Sequence, residues 1–467
     1  MDQIEATMPS PVNAVARTDR GSALAEWSWI LADAARGPHI ALITLFIFSA
    51  YFTTTVIGDP VRGQALWGYI SSAGAVVLAI GAPLAGAMVD AGGRRKPWLA
   101  ACLCLAVPAM AALWFATPFM SAGGVAWIVA ALLLGAIGLQ FSGLFHNALL
   151  PVVTTPQRVG TVSGLGVATT NAAIVVVLLF FLLAWSWNDT PLFGFAIERL
   201  EPQRATGPLV AIWLVVFTLP LFLFAPDAPR SSLSTRAAVK NGLVRVMGTF
   251  RTLRDYPNVA TFLVARMAYN EGFIILGMST GIFAAGVLHW TPAMLIVQGL
   301  INSVCGVCAG LATAWLDRKI GTKVSTILFV VGALLANIAL CSVTATSVFF
   351  IAIDPVSAGD AGGLFPTAAD KLFLVANIGV AVFMSAGMGS SRTMIAKLAP
   401  SDMIGEFFAL FALTATVTSF IGPLLFGLMT SYFQSQRAGL AVGVVFLIVG
   451  LLVMFLVKEP EISADVK

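Results

Sequence analysis

The sequence predicts an all-α membrane protein with twelve transmembrane helices in two pseudo-symmetric six-helix bundles. About twelve apolar stretches have membrane-spanning length, and the 467 residues are 58% hydrophobic and only 10% charged, with a mean hydropathy of +0.92. A helix needs about 20 apolar residues to cross a hydrocarbon core about 30 Å thick. This composition excludes a soluble globular domain. The net charge of +4 reflects basic residues in short loops, so nucleic-acid binding is not predicted.

The predicted spans alternate in direction across the bilayer, and their loops differ in charge. Basic residues on the side of the two termini outnumber those on the other side by about eighteen to five. This asymmetry predicts that both termini are cytoplasmic, and the protein is expected in a bacterial inner membrane. The spans are predicted at 28–57, 64–89, 98–117, 123–150, 160–185, 206–225, 258–287, 292–315, 324–346, 371–396, 404–433 and 438–457.

The chain divides at its longest inward-facing segment, residues 226–257. This linker separates an N-terminal bundle at 27–225 from a C-terminal bundle at 258–458, and the tails are 1–26 and 459–467. Leu243, Met247, Phe250 and Leu253 recur at helical spacing, so the linker is either an amphipathic helix on the membrane or a solvated connection. The outward segment 347–370 is rich in Gly, Pro and Asp and predicts an irregular loop.

Similar turns follow the second and the eighth spans, half a chain apart. Their acidic residues lie 227 positions apart, which predicts two parallel repeats. We expect Asp90 to lie near residues 403–406 and Asp317 to lie near residues 159–163. In these positions each aspartate would hold the two halves together as a latch. Local loop contacts are the alternative. The predicted gating residues are Gly86, Asp90, Gly93, Arg94 and Arg95 in the first turn, and Asp317, Arg318 and Gly321 in the second.

The first turn resembles the loop signature of the major facilitator superfamily, Gly-x-x-x-Asp-x-x-Gly-Arg-Arg/Lys, although Ala91 replaces the usual basic residue. Segments spread over the chain are similar to the autophagy-linked vacuolar effluxer family and its bacterial relatives. This resemblance implies a secondary transporter, with amino-acid efflux as the best-known activity. The segments are Ser28–Asp33, Trp213–Phe224, Tyr269–Gly272, Ile282–Val287, Ser391–Arg392, Glu406–Leu410 and Gly422–Gly427.

Four charged residues lie deep in the first and seventh spans. A charge at the bilayer centre costs about 3 kcal/mol on insertion scales, so such groups are kept where they line a wet cavity, pair or bind a ligand. We predict a solute pathway at Asp33, Arg36, Arg266 and Glu271. In this pathway Arg36 and Arg266 would bind a carboxylate or similar anion.

Proton coupling is predicted at Glu271 and secondarily at Asp33, because burial disfavours the ionised form of a carboxyl group. Two alternatives remain open: a static Asp33–Arg36 pair, and a structural bridge from Glu271 to Arg36 or Arg266. The Gly37-Pro38 pair predicts a bend or opening of the first helix beside the charges.

Several polar residues are further candidates for the cavity lining, because unpaired amides are not tolerated against lipid. Helix packing is the alternative role for about half of the amides. Arg392 could instead extend to water at the inner surface. The residues predicted to bind substrate, besides the two arginines, are Asn270, Asn302, Asn377 and Arg392. For His146 and Asn147, a gate or packing role is as open as substrate binding.

These predictions favour a proton-coupled secondary transporter of a small anionic or zwitterionic, amino-acid-like solute, working by alternating access of a cavity between helices 1, 4, 7 and 10. The alternatives are an exporter of hydrophobic or cationic compounds, and a non-transporting receptor or scaffold. No enzyme activity, cofactor or metal is predicted, since Cys305 and Cys308 lack a second ligand pair. The predicted partners are the solute, protons and the lipid bilayer, with the protein as a monomer.

Overall fold

The computed structural model describes residues 23–90, 93–186, 192–228, 253–349, 351–352, 363–400 and 403–459, without the side chains at 87, 88, 90 and 186. Within these ranges it confirms twelve helices long and apolar enough to span a membrane. Most of the linker, residues 229–252, lies outside the described residues, so the choice between an amphipathic helix and a solvated connection stays open. The helices are α1 (Ala23–Val56), α2 (Pro60–Asp90), α3 (Lys96–Ala112), α4 (Ala122–Val153), α5 (Val159–Phe181), α6 (Glu201–Phe224), α7 (Pro257–Val287), α8 (Pro292–Ile320), α9 (Thr322–Ser342), α10 (Ala368–Leu398), α11 (Ile404–Phe433) and α12 (Gln436–Leu456).

Local sequence signals fix where several helices begin. Proline occupies the first turn of α2, α6, α7 and α8, where its missing N–H is not needed. The Thr291 hydroxyl accepts from the Met294 N–H at 3.4 Å at the start of α8. At the start of α10, Thr367 and Asp370 form a reciprocal capping box. The loop before α10 is less irregular than predicted, because strands β1 (Ser347–Val348) and β2 (Ile351–Ala352) pair antiparallel.

Helix α1 changes its backbone pattern at the place where the sequence predicts a bend. A regular α-helix covers Ala23–Ala34, and a π-helical segment follows at His39–Phe46. Between them, Gly37 lies so close to α5 that a Cβ on it would be 2.8 Å from the Thr170 carbonyl oxygen. The irregular stretch therefore brings α1 against α5 immediately beside Asp33 and Arg36.

Helix α11 is not the continuous span that the sequence predicts. It consists of two α-helical segments, Ile404–Val417 and Ile421–Phe433, separated by residues 418–420. Pro423 has no N–H with which to bond the carbonyl four residues earlier, so the regular helical ladder is interrupted here. The second segment therefore has its own N-terminus in the middle of the membrane span, where the Ile421 N–H donates to the Thr418 carbonyl and the Leu424 N–H donates to the Phe420 carbonyl.

The internal repeat predicted from the two similar turns is visible in the contacts that hold each turn. In the first half, Asp227 accepts from the backbone N–H of Arg95 at 2.8 Å, and the Lys96 ammonium donates to the Phe222 carbonyl at 3.1 Å. In the second half, Glu459 accepts from the N–H of Thr322 at 2.6 Å, and Lys323 donates to the Phe455 carbonyl at 3.1 Å. Each half thus ties the start of its third helix to the end of its sixth.

The two halves meet through α2 with the second segment of α11, through α1 with α7, and through α5 with α8. We call the end of the molecule that carries the turns 93–96 and 318–323 the basic face, and the other end the opposite face. The contacts between the halves lie toward the opposite face, as the site geometry below shows.

Candidate functional site

A central cavity of about 450 Å³ lies between the two halves. It is lined from the N-terminal half by α1, α2 and α4, and from the C-terminal half by α7, α10 and the middle of α11. The predicted helices 1, 4, 7 and 10 all contribute, and α2 and α11 add to them. The lining residues used below are His39, Thr44, Trp67, Gln140, Asn270, Met278, Met384, Met388, Ser419 and Pro423.

A side pocket of about 440 Å³ extends from the central cavity into the N-terminal half. The two spaces share His39, Thr44, Ala136 and Gln140, so they adjoin. The side pocket is the more polar of the two, because Asp33, Arg36, Thr170 and Asn171 also line it. Two of the predicted pathway charges therefore line a pocket that adjoins the central cavity.

The Arg36 guanidinium donates to Asp33 Oδ1 in an ion pair along α1. The Arg36 side chain keeps 28% of its surface exposed, whereas the Asp33 side chain keeps 10%. A guanidinium carries five N–H donors, and this pair uses one of its edges. Arg36 can therefore hold Asp33 and still present donors to a ligand in the side pocket.

Trp29 and His146 form a stacked aromatic pair next to this ion pair. The His146 ring stacks on Trp29 with centroids 4.4 Å apart, and the Trp29 indole N–H donates to the His146 carbonyl at 2.9 Å. His146 Nδ1 lies 3.7 Å from Asp33 Oδ1. Sequence reasoning left His146 undecided, and the structure places it in the wall of the charged cluster.

Two glycines give the ion pair its space. A Cβ at position 143 would lie 2.3 Å from Arg36 Nη1, and a Cβ at position 166 would lie 2.8 Å from Asp33 Oδ2. Contacts under 3.0 Å require something to shift, so only glycine fits without moving the charged groups. Helices α4 and α5 thus approach the pair closely from two sides.

Arg266 is buried away from these two spaces. Its guanidinium lies 3.6 Å from the centre of the Phe411 ring and donates to the Phe411 carbonyl at 2.9 Å and to the Thr414 hydroxyl at 3.1 Å. Arg266, which the sequence predicts to bind an anion, therefore has its guanidinium bound to the first segment of α11. Among the described residues that line the central cavity and the side pocket, Arg266 does not appear.

We predict that Arg266→Lys lowers the thermal stability of the purified protein by several degrees. A lysine ammonium cannot keep the planar stack on Phe411 together with two directed hydrogen bonds. Thermal unfolding measures the effect, and Arg62→Gln, at an exposed arginine, is the matched control. Equal stability of Arg266→Lys and the wild type would contradict a structural role for this contact.

Glu271 binds the N-terminus of the second α11 segment. Its Oε2 accepts from the Gly422 N–H at 2.8 Å and also interacts with the Thr418 hydroxyl, while the buried Oε1 has no partner. The alternative of a bridge to Arg36 or Arg266 is wrong among the described side chains, because Glu271 bonds to Gly422 and Thr418, while Arg36 pairs with Asp33 and Arg266 bonds to α11. A carboxylate suits this position, since a helix N-terminus carries unpaired N–H groups and partial positive charge.

The remaining predicted substrate residues are divided by the structure. Asn270 lines the central cavity. Asn302 and Asn377 lie outside its lining, and both have buried amide atoms without partners. Arg392 is exposed toward the basic face, close enough to Arg266 for the two charges to interact.

At the opposite face the halves are sealed by direct contacts. Gln64 of α2 donates to the Thr430 hydroxyl at 2.8 Å, and Gln436 donates to Gln64 Oε1 at 3.0 Å. Deeper in the membrane, the Ser72 hydroxyl donates to the Phe420 carbonyl at 2.9 Å. The pairing of Gln64 with Gln436, which are 372 positions apart, could not be predicted from the sequence, because neither glutamine belongs to a local motif.

Near the basic face, several glycines on helices of both halves have open surroundings. Gly86 of α2, Gly160 and Gly164 of α5, and Gly405 of α11 each have open space where a Cβ would lie. These helices are among those that pack across the halves at the opposite face. From this open space and from the hydrogen bonds of Gln64 and Ser72 at the other end, we infer that the cavity is closed at the opposite face and opens toward the basic face.

The predicted latch at Asp317 is wrong for this state. Asp317 accepts from the Ser390 hydroxyl at 2.8 Å, so its hydrogen-bond partner lies on α10 of its own half and not at the start of α5. The Asp90 side chain lies outside the described residues. Of the other motif residues, Arg318 donates to the Ala314 carbonyl at 3.1 Å, and Gly321 joins α8 to α9 with a φ of 87° that favours glycine. Arg95 donates to the Ala148 carbonyl, Arg94 is exposed in a surface groove, and Gly93 begins the short connection to α3.

We predict that Gly68→Leu opens the seal at the opposite face. A Cβ at position 68 would lie 2.8 Å from the Pro423 carbonyl oxygen, so a larger side chain must push α2 and α11 apart. Gly74→Leu is the matched control, because position 74 on the same helix has open space. Reaction of a Ser72→Cys reporter with a hydrophilic maleimide from the opposite face should rise only with Gly68→Leu; an equal rise in both variants would contradict the seal.

The family of the chain follows from a comparison with known families. The model of the family described as vacuole effluxer Atg22 like matches residues 53–465. The chain belongs to this family. Like the resemblance in the first-turn motif, the match places it among major facilitator transporters.

Curated relatives agree with this assignment. The protein described as an uncharacterized MFS-type transporter, YxiO of Bacillus subtilis, is 22% identical over 451 residues, covering 94% of this chain and 96% of the relative. Autophagy-related protein 22 of Cryptococcus neoformans is 24% identical over 263 residues, covering 56% of this chain and 44% of the relative. The chain thus matches the bacterial relative over nearly its whole length and less than half of the fungal one.

Solved structures with the same architecture are also transporters. A D-xylose–proton symporter aligns with a TM-score of 0.64 at 14% identity, over 94% of this chain and 97% of the other. A bacterial homologue of the human lysosomal transporter Spinster, inward-facing and unoccupied, aligns with a TM-score of 0.66 at 15% identity, over 93% and 96%. At these identities the likeness shows the fold alone. Together with the family match, the chain is an integral membrane transporter of the major facilitator type.

Proposed function

We propose that this protein is a secondary active transporter of a small anionic or zwitterionic, amino-acid-like solute, and that Arg36 binds its carboxylate. The observation that carries the proposal is the partly exposed Arg36 guanidinium, paired with Asp33 and facing the side pocket. A guanidinium binds carboxylates through parallel hydrogen bonds, and the low dielectric of a membrane cavity strengthens them. Gln140 and Asn171 add neutral donors and acceptors on the same wall, and Asn270 faces the adjoining cavity.

The proposed transport cycle is a rocking of the two bundles, 27–225 and 258–458, about the central cavity. The sealed opposite face and the parted basic face support it, since they correspond to one of the two end states of such a cycle. The reverse state requires breaking the Gln64–Gln436 and Ser72–Phe420 contacts. Asp317, now bonded to Ser390, and Asp90 would then become candidates for contacts between the halves at the basic face.

Coupling to protons is proposed at Glu271, and secondarily at Asp33. Glu271 has one oxygen without a partner and no basic residue paired with it among the described side chains. Such a carboxyl group can take up a proton without breaking an ion pair. Its position between α7 and the break in α11 would let a change of charge alter the fit of the two helices.

The membrane placement is also part of the proposal. The excess of basic residues at the basic face supports a cytoplasmic orientation of that face and of both termini, in a bacterial inner membrane, with efflux as the direction of transport. We propose that the protein works as a monomer, without a cofactor and without enzyme activity.

A second candidate, export of hydrophobic or cationic compounds, is favoured by one observation. Met278, Met384 and Met388 line the central cavity from the C-terminal half, and Trp67 faces them from the other half. Flexible thioether side chains are typical of surfaces that adapt to varied apolar ligands. Asp33 would then serve as the counter-ion.

A thermal-shift screen of the purified protein distinguishes the two candidates. Any ligand that binds the folded state raises the unfolding temperature by mass action. Our proposal expects stabilisation by amino acids or small carboxylates, and the effect should be lost in Arg36→Gln. Stabilisation by lipophilic cations alone, retained in Arg36→Gln, would reject the proposal in favour of the second candidate.

A further inference from the structure

Three amide side chains in the C-terminal half have buried polar atoms without hydrogen-bond partners. Gln298 of α8 and Asn377 of α10 are both 0% exposed, and neither the oxygen nor the nitrogen of either amide is bonded. Asn302, one turn after Gln298, has an unpartnered buried Oδ1. Leaving such groups unpaired in a protein interior is destabilising, so their presence calls for a ligand or a function.

The register between α8 and α10 places these amides at one level. The two helices run side by side, with the Trp290 indole N–H donating to Asp370 at 2.7 Å at one end and Ser390 donating to Asp317 at 2.8 Å at the other. Residues of α8 and α10 that bond to each other are thus 73 to 80 positions apart in the sequence. Gln298 and Asn377 are 79 positions apart, so they lie at the same level of the two helices. Gln298 and Asn302 share one face of α8, since residues four apart are neighbours on a helix.

This level lies immediately beyond the closed end of the central cavity. Asn377 precedes the cavity-lining Met384 by seven residues on the same face of α10, which is about 10 Å toward the opposite face. Between this level and the N-terminal half, Phe46 packs on Gly299, and the Leu45 carbonyl oxygen lies 2.1 Å from where a Gly281 Cβ would be. We count these contacts of α1 with α7 and α8 as part of the seal, which therefore separates the amides from the N-terminal half.

The chemistry of the three side chains restricts the ligand. All are neutral, and together they offer both N–H donors and carbonyl acceptors. Burying an ion among these amides without a counter-charge would carry a large free-energy penalty. A neutral group that both donates and accepts hydrogen bonds could instead pair with the unbonded amide atoms. A hydroxyl or carboxamide group has this character.

We propose that Gln298, Asn302 and Asn377 form an outer subsite of the solute pathway, which binds a neutral hydroxyl or carboxamide group of the solute when the seal opens. This inference rests on the proposed transport function. The subsite is distinct from Arg36, which lies in the other half and faces the side pocket.

Thiol labelling tests the proposal in a chain whose five cysteines have been replaced. An Asn377→Cys reporter should react slowly with a membrane-impermeant maleimide applied from the opposite face, and at least about tenfold faster when Gly281→Ala forces the seal apart. Gly310→Ala is the matched control, because position 310 has open space. No acceleration with Gly281→Ala would overturn the subsite.

A second arm tests the chemistry in the Gly281→Ala background, with the same reporter moved to Asn302→Cys. L-Asparagine should slow the labelling, whereas L-leucine, which is similar in shape but lacks the carboxamide, should not. Equal protection by both, or by neither, would overturn the assigned ligand class.

An Asn270→Cys reporter in the central cavity separates the failure of the subsite from the failure of the proposed function. If Asn270→Cys is labelled and Asn377→Cys never is, only the subsite fails. If neither reporter is labelled, the proposed function fails as well.

Discussion

Replacing Arg36 with glutamine should strongly weaken binding of the anionic or zwitterionic solute. Hydrogen bonds to charged groups are worth about 1.5–3 kcal/mol each, so losing the guanidinium is expected to weaken affinity by about tenfold to a hundredfold. Solute counterflow in proteoliposomes and the thermal shift of the purified protein both measure the loss. The exposed Arg62→Gln supplies the matched control and should behave as the wild type.

The same change leaves Asp33 buried without its partner, so a folding defect must be separated from a binding defect. The double variant Asp33→Asn with Arg36→Gln removes both charges and should recover the stability that the single variant loses, without recovering binding. Arg36→Lys keeps the charge beside Asp33 but lacks the planar fork, so it should bind with intermediate strength. Wild-type affinity in a folded Arg36→Gln would disprove the role of this residue.

Replacing Glu271 with glutamine should abolish accumulation driven by a pH gradient while leaving solute counterflow largely intact. The glutamine carbonyl can still accept from the Gly422 N–H, so the break in α11 should keep its cap. What is lost is the ability to bind and release a proton. Uptake with and without an imposed pH gradient measures the separation of the two activities.

Glu198→Gln, at an exposed carboxylate, is the control for the loss of one acidic charge. It should retain both counterflow and pH-driven accumulation. Unchanged pH-driven accumulation in Glu271→Gln would rule out this residue as the coupling group. Loss of counterflow as well would indicate instead that the carboxylate supports the helix break structurally.

The fold could be predicted from the sequence because membrane solvation acts on each span separately. Twelve apolar segments, the charge bias of their loops and the matching turns at Asp90 and Asp317 are local features. The opening of α1 near Gly37-Pro38 was also predictable, since proline and glycine act on the backbone directly. The break in α11 was missed although Pro423 signals it, because apolar length alone suggested one continuous span.

The candidate site was predictable only in part. Intramembrane charges single out Asp33, Arg36, Arg266 and Glu271, and all four are indeed held inside the protein. Their partners could not be read from the sequence. Phe411 under Arg266, Gly422 at Glu271 and Gln436 beside Gln64 lie between 145 and 372 residues away, and only helix packing brings them together.

The state of the transporter was likewise beyond sequence reasoning. The predicted Asp317 latch assumes that the halves meet at the basic face, whereas Asp317 binds Ser390 in its own half. A latch of this kind belongs to one end state of a cycle, and a sequence specifies both end states at once. The seal at Gln64 and Gln436 occupies the other end of the molecule.

Water access to the central cavity tests the whole account most directly. In the chain with its five cysteines replaced, an Asn270→Cys reporter should react with a membrane-impermeant maleimide applied from the basic face, and a bound solute should slow that reaction. The seal should prevent labelling from the opposite face until Gly68→Leu opens it. An Asn270→Cys that stays unreactive from both faces, in the wild-type seal and in Gly68→Leu alike, would contradict a solute pathway between the two halves.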